Sequence, residues 1–430
     1  MDKFRLLVIR LSALGDVVHT LPAVARVKQL HPETHVTWIV EQAFADILQN
    51  NPLVDEVIIF PKKALAADLK NPLTWLKSDS QVKRFLAELR SRKFNAAIDF
   101  QGLFKSGAIA FLSGAPIRVG FTQSREFSDR FLTHKLDADY FSHDIHVIDH
   151  NVALAEFLLR IACGTSAEFS GTVDFPLPSP GEEVFARIQQ KVFGDRQTAM
   201  LQMRSDDQKK SEKLDVPNYS SMEPSVEAKS NSQLEPPAEA ETTPRIEPAV
   251  EAERGGKKGR PTIVFIPGTT WITKIWPREK WVDLGINLLK KHDVRIVLIG
   301  GRAETETNQY IYDRILEANV ENKNVVNLTN QTSLIDLVAL FSLVDLAVGP
   351  DCGPLHMAAA VGHPACIGIF GSTPWRRLAP YGHTSSVVAL DIECQPCYQA
   401  KCRFNTVACL TDLNPELVLQ KIESSLLNRM

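Results

Sequence analysis

One plan is written twice along this chain, and that repetition restricts the fold more than any other feature. The apolar run "FRLLVI" (4–9) ends in the glycine turn "RLSALGD" and gives way to residues with helical spacing. Further on, "TIVFIPG" (262–268) ends in a glycine turn, and "PREKWVDLGINLLKK" (277–291) follows as a helix with Pro277 near its first turn. In the first half, "HVTWIV" (35–40), "EVIIF" (56–60) and "NAAIDF" (95–100) are further runs of strand length. "VVHTLPAVARVKQLHP" (17–32) reads as one helix ending near Pro32. In the second half, "VRIVLIGG" (294–301), "LAVGPD" (346–351) and "ACIGIFG" (365–371) read as strands and "LIDLVALFSLV" (334–344) as a helix. Strands alternating with helices imply βαβ units, so the expected class is α/β: two facing Rossmann-like domains with mainly parallel sheets and a cleft between them.

The two halves differ sharply from what joins them. Around residues 196–260 Pro, Glu, Ser, Lys and Ala dominate and apolar residues are isolated. Such a segment buries too little surface to offset an ordering entropy of roughly 1–2 kcal/mol per residue, so a disordered linker is expected. The expected division is residues 1–195, a linker over 196–260, and residues 261–430. The chain has 430 residues, 44% hydrophobic and 23% charged, with a formal net charge of −3. No half is strongly basic, which argues against generic nucleic-acid binding. The N-terminus reaches Arg10 and Asp16 before any signal-type apolar core, and no run suits a membrane span, so a cytoplasmic protein is expected.

Open parallel sheets bind ligands beyond the carboxyl ends of their strands. Three stretches fall there with suitable chemistry. "SALGD" has one glycine, not a dinucleotide fingerprint, and its Asp16 has two readings: a helix cap, or an ionised carboxylate acting as a general base. "PGTTWITKIWP" (267–277) offers Thr269, Thr270 and Lys274 to phosphate oxygens, without Walker spacing. In "VGPDCGPLHMAAAVGHP" (348–364), amides around Cys352 and Gly353 at a helix start suit an anion. Asp351 would repel a bare phosphate, so it suits a turn or a sugar hydroxyl, and His356 is within reach of a phosphate or of Asp351. "GIFGSTPWRRLAPYG" (367–382) adds a third glycine loop at the same edge.

In their order, "RLSALGDVVHTLPA", "AIDFQGLFKSG", "PGTTWITKIWP", "GPDCGPLHMAAAVGHP" and "IFGSTPW" resemble glycosyltransferase family 9, the ADP-heptose:lipopolysaccharide heptosyltransferases. The resemblance implies a GT-B fold and an inverting transferase that needs no metal or other cofactor. It further implies an ADP-heptose donor in the C-terminal domain and a Kdo-lipid A acceptor in the N-terminal one, met at the inner-membrane surface. It makes Asp16 the base and Lys274 the phosphate cation. Thr269, Thr270, Asp351, Cys352, Gly353 and His356 fall on the donor side, with Glu304, or else Glu306, on the ribose. Cys352 stands where relatives often carry threonine. Gly15, Gln101, Lys105 and Arg125 fall on the acceptor side, and Lys62, Lys63 and Arg118 are further cations for acceptor phosphates and carboxylates. A GT-B enzyme using another nucleotide sugar, or a sugar-nucleotide epimerase, remains open on these residues.

"CQPCYQAKCRFNTVAC" sets Cys394, Cys397, Cys402 and Cys409 close together. One C-x-x-C pair with irregular later spacing leaves both a structural zinc site and metal-free thiols open.

Overall fold

The structure, a computed structural model, describes residues 3–62, 81–123, 125–165, 173–194, 260–318 and 324–427. Of the linker expected at 196–260, all but Arg260 lies outside the described residues, as does Lys63. By contacts, residues 1–188 and 260–430 form one compact unit.

That unit holds two parallel sheets. The first contains β1 (Arg5–Ile9), β2 (His35–Val40), β3 (Glu56–Ile59), β4 (Ala96–Asp99), β5 (Ile117–Phe121) and β6 (His134–Leu136), in the order β3-β2-β1-β4-β5-β6. The second contains β7 (Thr262–Phe265), β8 (Arg295–Leu298), β9 (Val325–Asn327), β10 (Leu346–Pro350), β11 (Ala365–Phe370) and β12 (Val387–Ala389), in the order β12-β11-β10-β7-β8-β9. Read from the other edge, the second order repeats the first. Each sheet reverses strand order beside its opening strand, β1 or β7, which is where such sheets open a ligand crevice.

The helices are α1 (Leu14–Val18), α2 (Leu21–Leu30), α3 (Gln81–Ser91), α4 (Phe104–Leu112), α5 (Val147–Cys163), α6 (Glu182–Phe193), α7 (Arg278–Lys291), α8 (Thr305–Glu317), α9 (Leu334–Leu343), α10 (Gly353–Val361), α11 (Trp375–Leu378), α12 (Ala408–Thr411) and α13 (Pro415–Leu427). The helix expected as one piece over 17–32 is two. Pro22 has no N–H to give an interior turn, and it sits instead in the first turn of α2. Four strands, β5, β6, β9 and β12, were not anticipated. β6, β9 and β12 have three residues each and close sheet edges, where few residues are needed, whereas the apolar run of β5 is interrupted by Arg118 and Gly120.

Each sheet has its own core. Leu7, Ile9, Ile39 and Ile58 pack with Leu89, Phe94 and Ile109 on the first. Phe265, Trp276 and Trp281 pack with Ile296, Ile311 and Leu419 on the second. A third cluster joins the halves, in which Val147, Ile148 and Val152 of α5 pack against Phe370, Leu378 and Ala379. Each large side chain buried this way is worth about 1.5–3 kcal/mol. Among the described residues no helix is long and apolar enough to cross a membrane.

Candidate active site

The site forms where the turn after β1 meets the start of α10. A Cβ placed on Gly15 would lie 2.9 Å from the His356 ring and 3.6 Å from Gly353 Cα. One placed on Gly353 would lie 2.7 Å from the Leu14 side chain. Both glycines are therefore explained by the close passage of α1 over α10. The resemblance put Gly15 beside the acceptor; its backbone neighbours here are Gly353 and His356. A Gly15→Ala variant is expected to lose about 1–3 kcal/mol of stability by overpacking, because the His356 ring is buried and tethered. A thermal melt superimposable on wild type would rule out that packing role.

Asp16 lies in the first turn of α1 with a side chain 42% exposed. One carboxylate oxygen accepts the Ala13 N–H at 3.2 Å. The other is 3.2 Å from Arg10 Nη2. The carboxylate thus caps α1, as one of the two sequence readings had it, and still faces solvent.

Arg10 is the functional residue that sequence reasoning passed over. It is buried at the end of β1, donates to the Phe100 carbonyl, and hydrogen-bonds Tyr140. Burial lowers its basicity, but Asp16, Tyr140 and Asp99 outweigh that and hold the guanidinium charged. The available signal was a charged residue closing an otherwise buried strand, which requires a buried partner. From the other half, the buried Arg377 lies over the Tyr140 ring at 4.8 Å and donates to the Ser142 carbonyl at 3.1 Å.

Across from Asp16 is a tight polar cluster. Lys274 Nζ donates to Asp351 Oδ2 at 2.7 Å and lies 4.7 Å from the Trp271 ring centre. His356 Nε2 is 3.0 Å from Asp351 Oδ1, and the Thr269 hydroxyl donates to the Asp351 carbonyl at 3.2 Å. Burial would raise the Asp351 pKa, yet the bonds and charges of His356 and Lys274 bring it down to about 2. Cys352 caps α10, and burial pushes its thiol up to about 12, so it stays neutral. Of the two partners open to His356, the structure shows Asp351, whose carboxylate is shared between His356 and Lys274. Thr270 is exposed beside them. Glu304 packs directly over Gly268, filling the place where a Cβ would stand, and accepts the Gly301 N–H at 2.7 Å. Glu306, in the first turn of α8, faces solvent. Burial raises the Tyr398 phenol, and the negative charges of Asp16 and Asp351 add to the rise against Arg377.

On the first sheet's side, Gln101 Oε1 accepts the N–H groups of Leu11 at 3.0 Å and Ser12 at 3.3 Å, so it braces the turn that carries Asp16. The buried Asp99 accepts the N–H groups of Gln101 and Gly102 and the Ser106 hydroxyl. Burial dominates, and its pKa rises to about 6. Three expected cations are engaged internally. Lys62 and Lys105 both pair with Glu41, at 2.9 and 3.5 Å. Arg118 donates to the Phe131 and Ala115 carbonyls. Arg125 is exposed, with its guanidinium over Phe141 at 5.4 Å.

The four clustered cysteines, with Thr273 and Ser372, line one cavity of about 50 Å³ behind the Lys274 loop, all as free thiols. Among the described residues, no group of three or more His, Cys, Asp or Glu is placed to hold a metal ion. Cys402 instead takes the N–H groups of Val407, Phe404 and Thr406, which lower its thiol pKa.

A histidine contact also joins the halves. The His19 ring centre lies 4.2 Å from that of His356 and 5.8 Å from that of His146. His146 Nε2 is 2.9 Å from the Ala379 carbonyl. Burial drives His146 down to about 4, opposed by that carbonyl, and drives His19 well below the usual histidine range. Between the ordinary histidine pKa and about 4 the unfolded chain therefore binds more protons than the folded one, and stability falls as pH drops through that window. Asp99 works the other way below about 6. Thermal melts at about pH 7.5 and about pH 5 should show the loss, and His146→Gln should reduce it, leaving the share of His19 and of His150, which burial also lowers to about 4. An unchanged slope in that variant would remove His146 as the source.

Two six-stranded parallel sheets of matching order, with a carboxylate turn on one meeting a lysine and a helix start on the other, make the GT-B architecture. The chain belongs to glycosyltransferase family 9 (heptosyltransferase), whose model matches residues 82–176 and 195–408. It is 24% identical over 442 residues to lipopolysaccharide heptosyltransferase 1 of Pseudomonas aeruginosa, covering 98% of each chain. Among solved structures, it is similar to the family 9 glycosyl transferase of Veillonella parvula (18% identity, TM-score 0.68, 100% and 98% of the two chains). It is also similar to the E. coli heptosyltransferase WaaC with ADP (21% identity, TM-score 0.61, 98% and 99%).

Proposed function

We propose that this enzyme moves a heptose from ADP-heptose to a Kdo-lipid A acceptor in lipopolysaccharide core synthesis, inverting the anomeric carbon in one metal-independent displacement. The observation that carries the reading is the division of charge across the α1–α10 contact. A solvent-facing carboxylate, Asp16, stands on one side, and the Lys274–Asp351–His356 cluster with the α10 amides stands on the other. Asp16 takes the proton of the acceptor hydroxyl as its oxygen bonds to the anomeric carbon. The bond from that carbon to the diphosphate oxygen breaks, and its electron pair leaves with ADP.

Charge on the leaving diphosphate needs fixed donors. An ammonium has three N–H donors, and one of Lys274's is committed to Asp351, so the others can serve phosphate oxygens. The Gly353 N–H at the start of α10 has no helical acceptor and adds to that site, while Pro354 has no N–H to offer. Glu304, lying over Gly268, suits the ribose hydroxyls, while Arg125 suits an acceptor anion. The names of the relatives support the heptose and the lipopolysaccharide acceptor, since full-length similarity runs to a lipopolysaccharide heptosyltransferase.

The test is a donor screen on Kdo-lipid A with ADP-heptose, ADP-glucose and UDP- and GDP-sugars. Transfer from ADP-heptose well above the others, with inverted anomeric configuration in the product, is expected. Preference for another nucleotide sugar, or release of nucleotide without an acceptor, would replace this reading.

A further inference from the structure

Helix α4 carries an unusual outer face. A Cβ on Gly107, which stands between Phe104 and Phe111 on one side of the helix, would lie 2.8 Å from the Phe131 ring and from the Ser128 carbonyl, so the segment 128–131 presses against that side. Where a solvated helix carries polar residues, the same side presents Phe104 at 55% and Phe111 at 54% exposure, two turns apart. Phe131 lies between them, its ring centre 5.2 Å from Phe104's and 6.1 Å from Phe111's. Beside them Phe127 stands 68% exposed, with a φ of 60°. A bulky residue is rare in that left-handed conformation, where glycine or asparagine is the usual choice.

Cations are interleaved with these rings. Arg118 lies 5.5 Å over Phe111, Arg130 4.9 Å over Phe127, and Arg125 5.4 Å over the exposed Phe141. The acidic groups nearby are engaged. Glu126 accepts the Phe104 N–H, and Asp129 pairs with Lys135. The patch runs on toward Asp16: Phe141 meets Tyr140 at 5.4 Å, Arg377 lies over the Tyr140 ring at 4.8 Å, and Tyr140 acts electrostatically on Arg10, which pairs with Asp16.

We propose that this face, formed by α4 and residues 125–131, docks on a bilayer rich in anionic phospholipid. Its exposed phenylalanines enter the headgroup region, and the exposed Arg125 and Arg130 meet lipid phosphates. Apolar rings alternating with cations are what an interfacial surface requires: the rings supply apolar burial, and the cations supply attraction to an anionic surface. The placement rests on and deepens the reading of a lipid-linked acceptor, because the face belongs to the same sheet half that carries Asp16.

The test uses the purified full chain and sedimented vesicles of phosphatidylglycerol with phosphatidylethanolamine, or of phosphatidylcholine alone. Wild type is expected to sediment with the anionic vesicles, less as salt rises, and to ignore the neutral ones. The triple variant Phe104→Gln, Phe111→Gln, Phe127→Asn should lose about tenfold or more in partition, while its ADP affinity reports an intact fold. Arg130→Gln should lose less and show a weaker salt dependence. Equal partition of the triple variant, or no binding of wild type to either vesicle, overturns the proposal, and the second result would leave the face to a protein partner. Vesicle binding needs no acceptor. Binding that persists without transfer to vesicle-embedded Kdo-lipid A would therefore reject the acceptor while keeping the membrane face.

Discussion

Asp16→Ala is expected to lower kcat by about a thousandfold, within the range set by removing a positioned general base, while ADP affinity stays within about twofold of wild type. The difficulty with alanine is that it also removes the cap on the Ala13 N–H and strands the buried Arg10. Asp16→Asn separates these effects. The amide oxygen still accepts from Ala13, but it takes up no proton at neutral pH. If the carboxylate is the base, the asparagine variant is as inactive as the alanine one. If the residue serves only as a cap, the asparagine variant recovers most of the rate. Steady-state kinetics with saturating donor, alongside ADP titration, decides between them.

Lys274→Ala should be the second large loss, and unlike the first it should appear in binding. ADP affinity is expected to fall about tenfold to a hundredfold and kcat about a hundredfold, because the diphosphate loses its nearest cation. Stability should fall too, by about 3–5 kcal/mol, since Asp351 is left buried with His356 alone where two partners now hold it charged. Lys274→Arg is not a rescue: the planar fork is larger than the compact ammonium, which sits 2.7 Å from Asp351 and against the Trp271 ring. Calorimetric ADP binding equal to wild type in Lys274→Ala would remove Lys274 from the phosphate site.

Much of the frame was legible before any coordinates. The runs at 4–9, 35–40, 262–268 and 365–371 became β1, β2, β7 and β11 because centrally placed parallel strands, covered on both faces, must be apolar nearly throughout. β6 and β9, at sheet edges, needed only three residues each and gave no such signal. For the site, position along the chain was informative where function requires a strand end, as at Asp16 and Asp351. It was silent on pairing. Lys62 and Lys105 look like free cations in sequence, and only the fold shows both turned onto Glu41. Arg10 is the converse case, a charge whose partner Asp16 lies in the next turn of chain but which reads as the end of an apolar run.

Glu304 and Glu306 show why spacing alone could not decide between neighbours. Glu304 closes a 3₁₀ turn whose backbone it caps, and it is thereby pulled over Gly268; Glu306 belongs to the first turn of α8 and faces away. Two residues' difference in sequence becomes a difference in which loop each carboxylate meets.

The contact between His146 and the Ala379 carbonyl spans 233 residues of sequence. During synthesis, the first sheet can bury its own core well before the second exists, but α1, His19 and the apolar side of α5 then wait for partners made much later. The first half therefore stands on the ribosome with its seam open while the second is made, and domain-by-domain folding makes that interval the point of greatest exposure to aggregation or proteolysis. The surface that later joins the two sheets is, for that interval, a natural landing place for a chaperone.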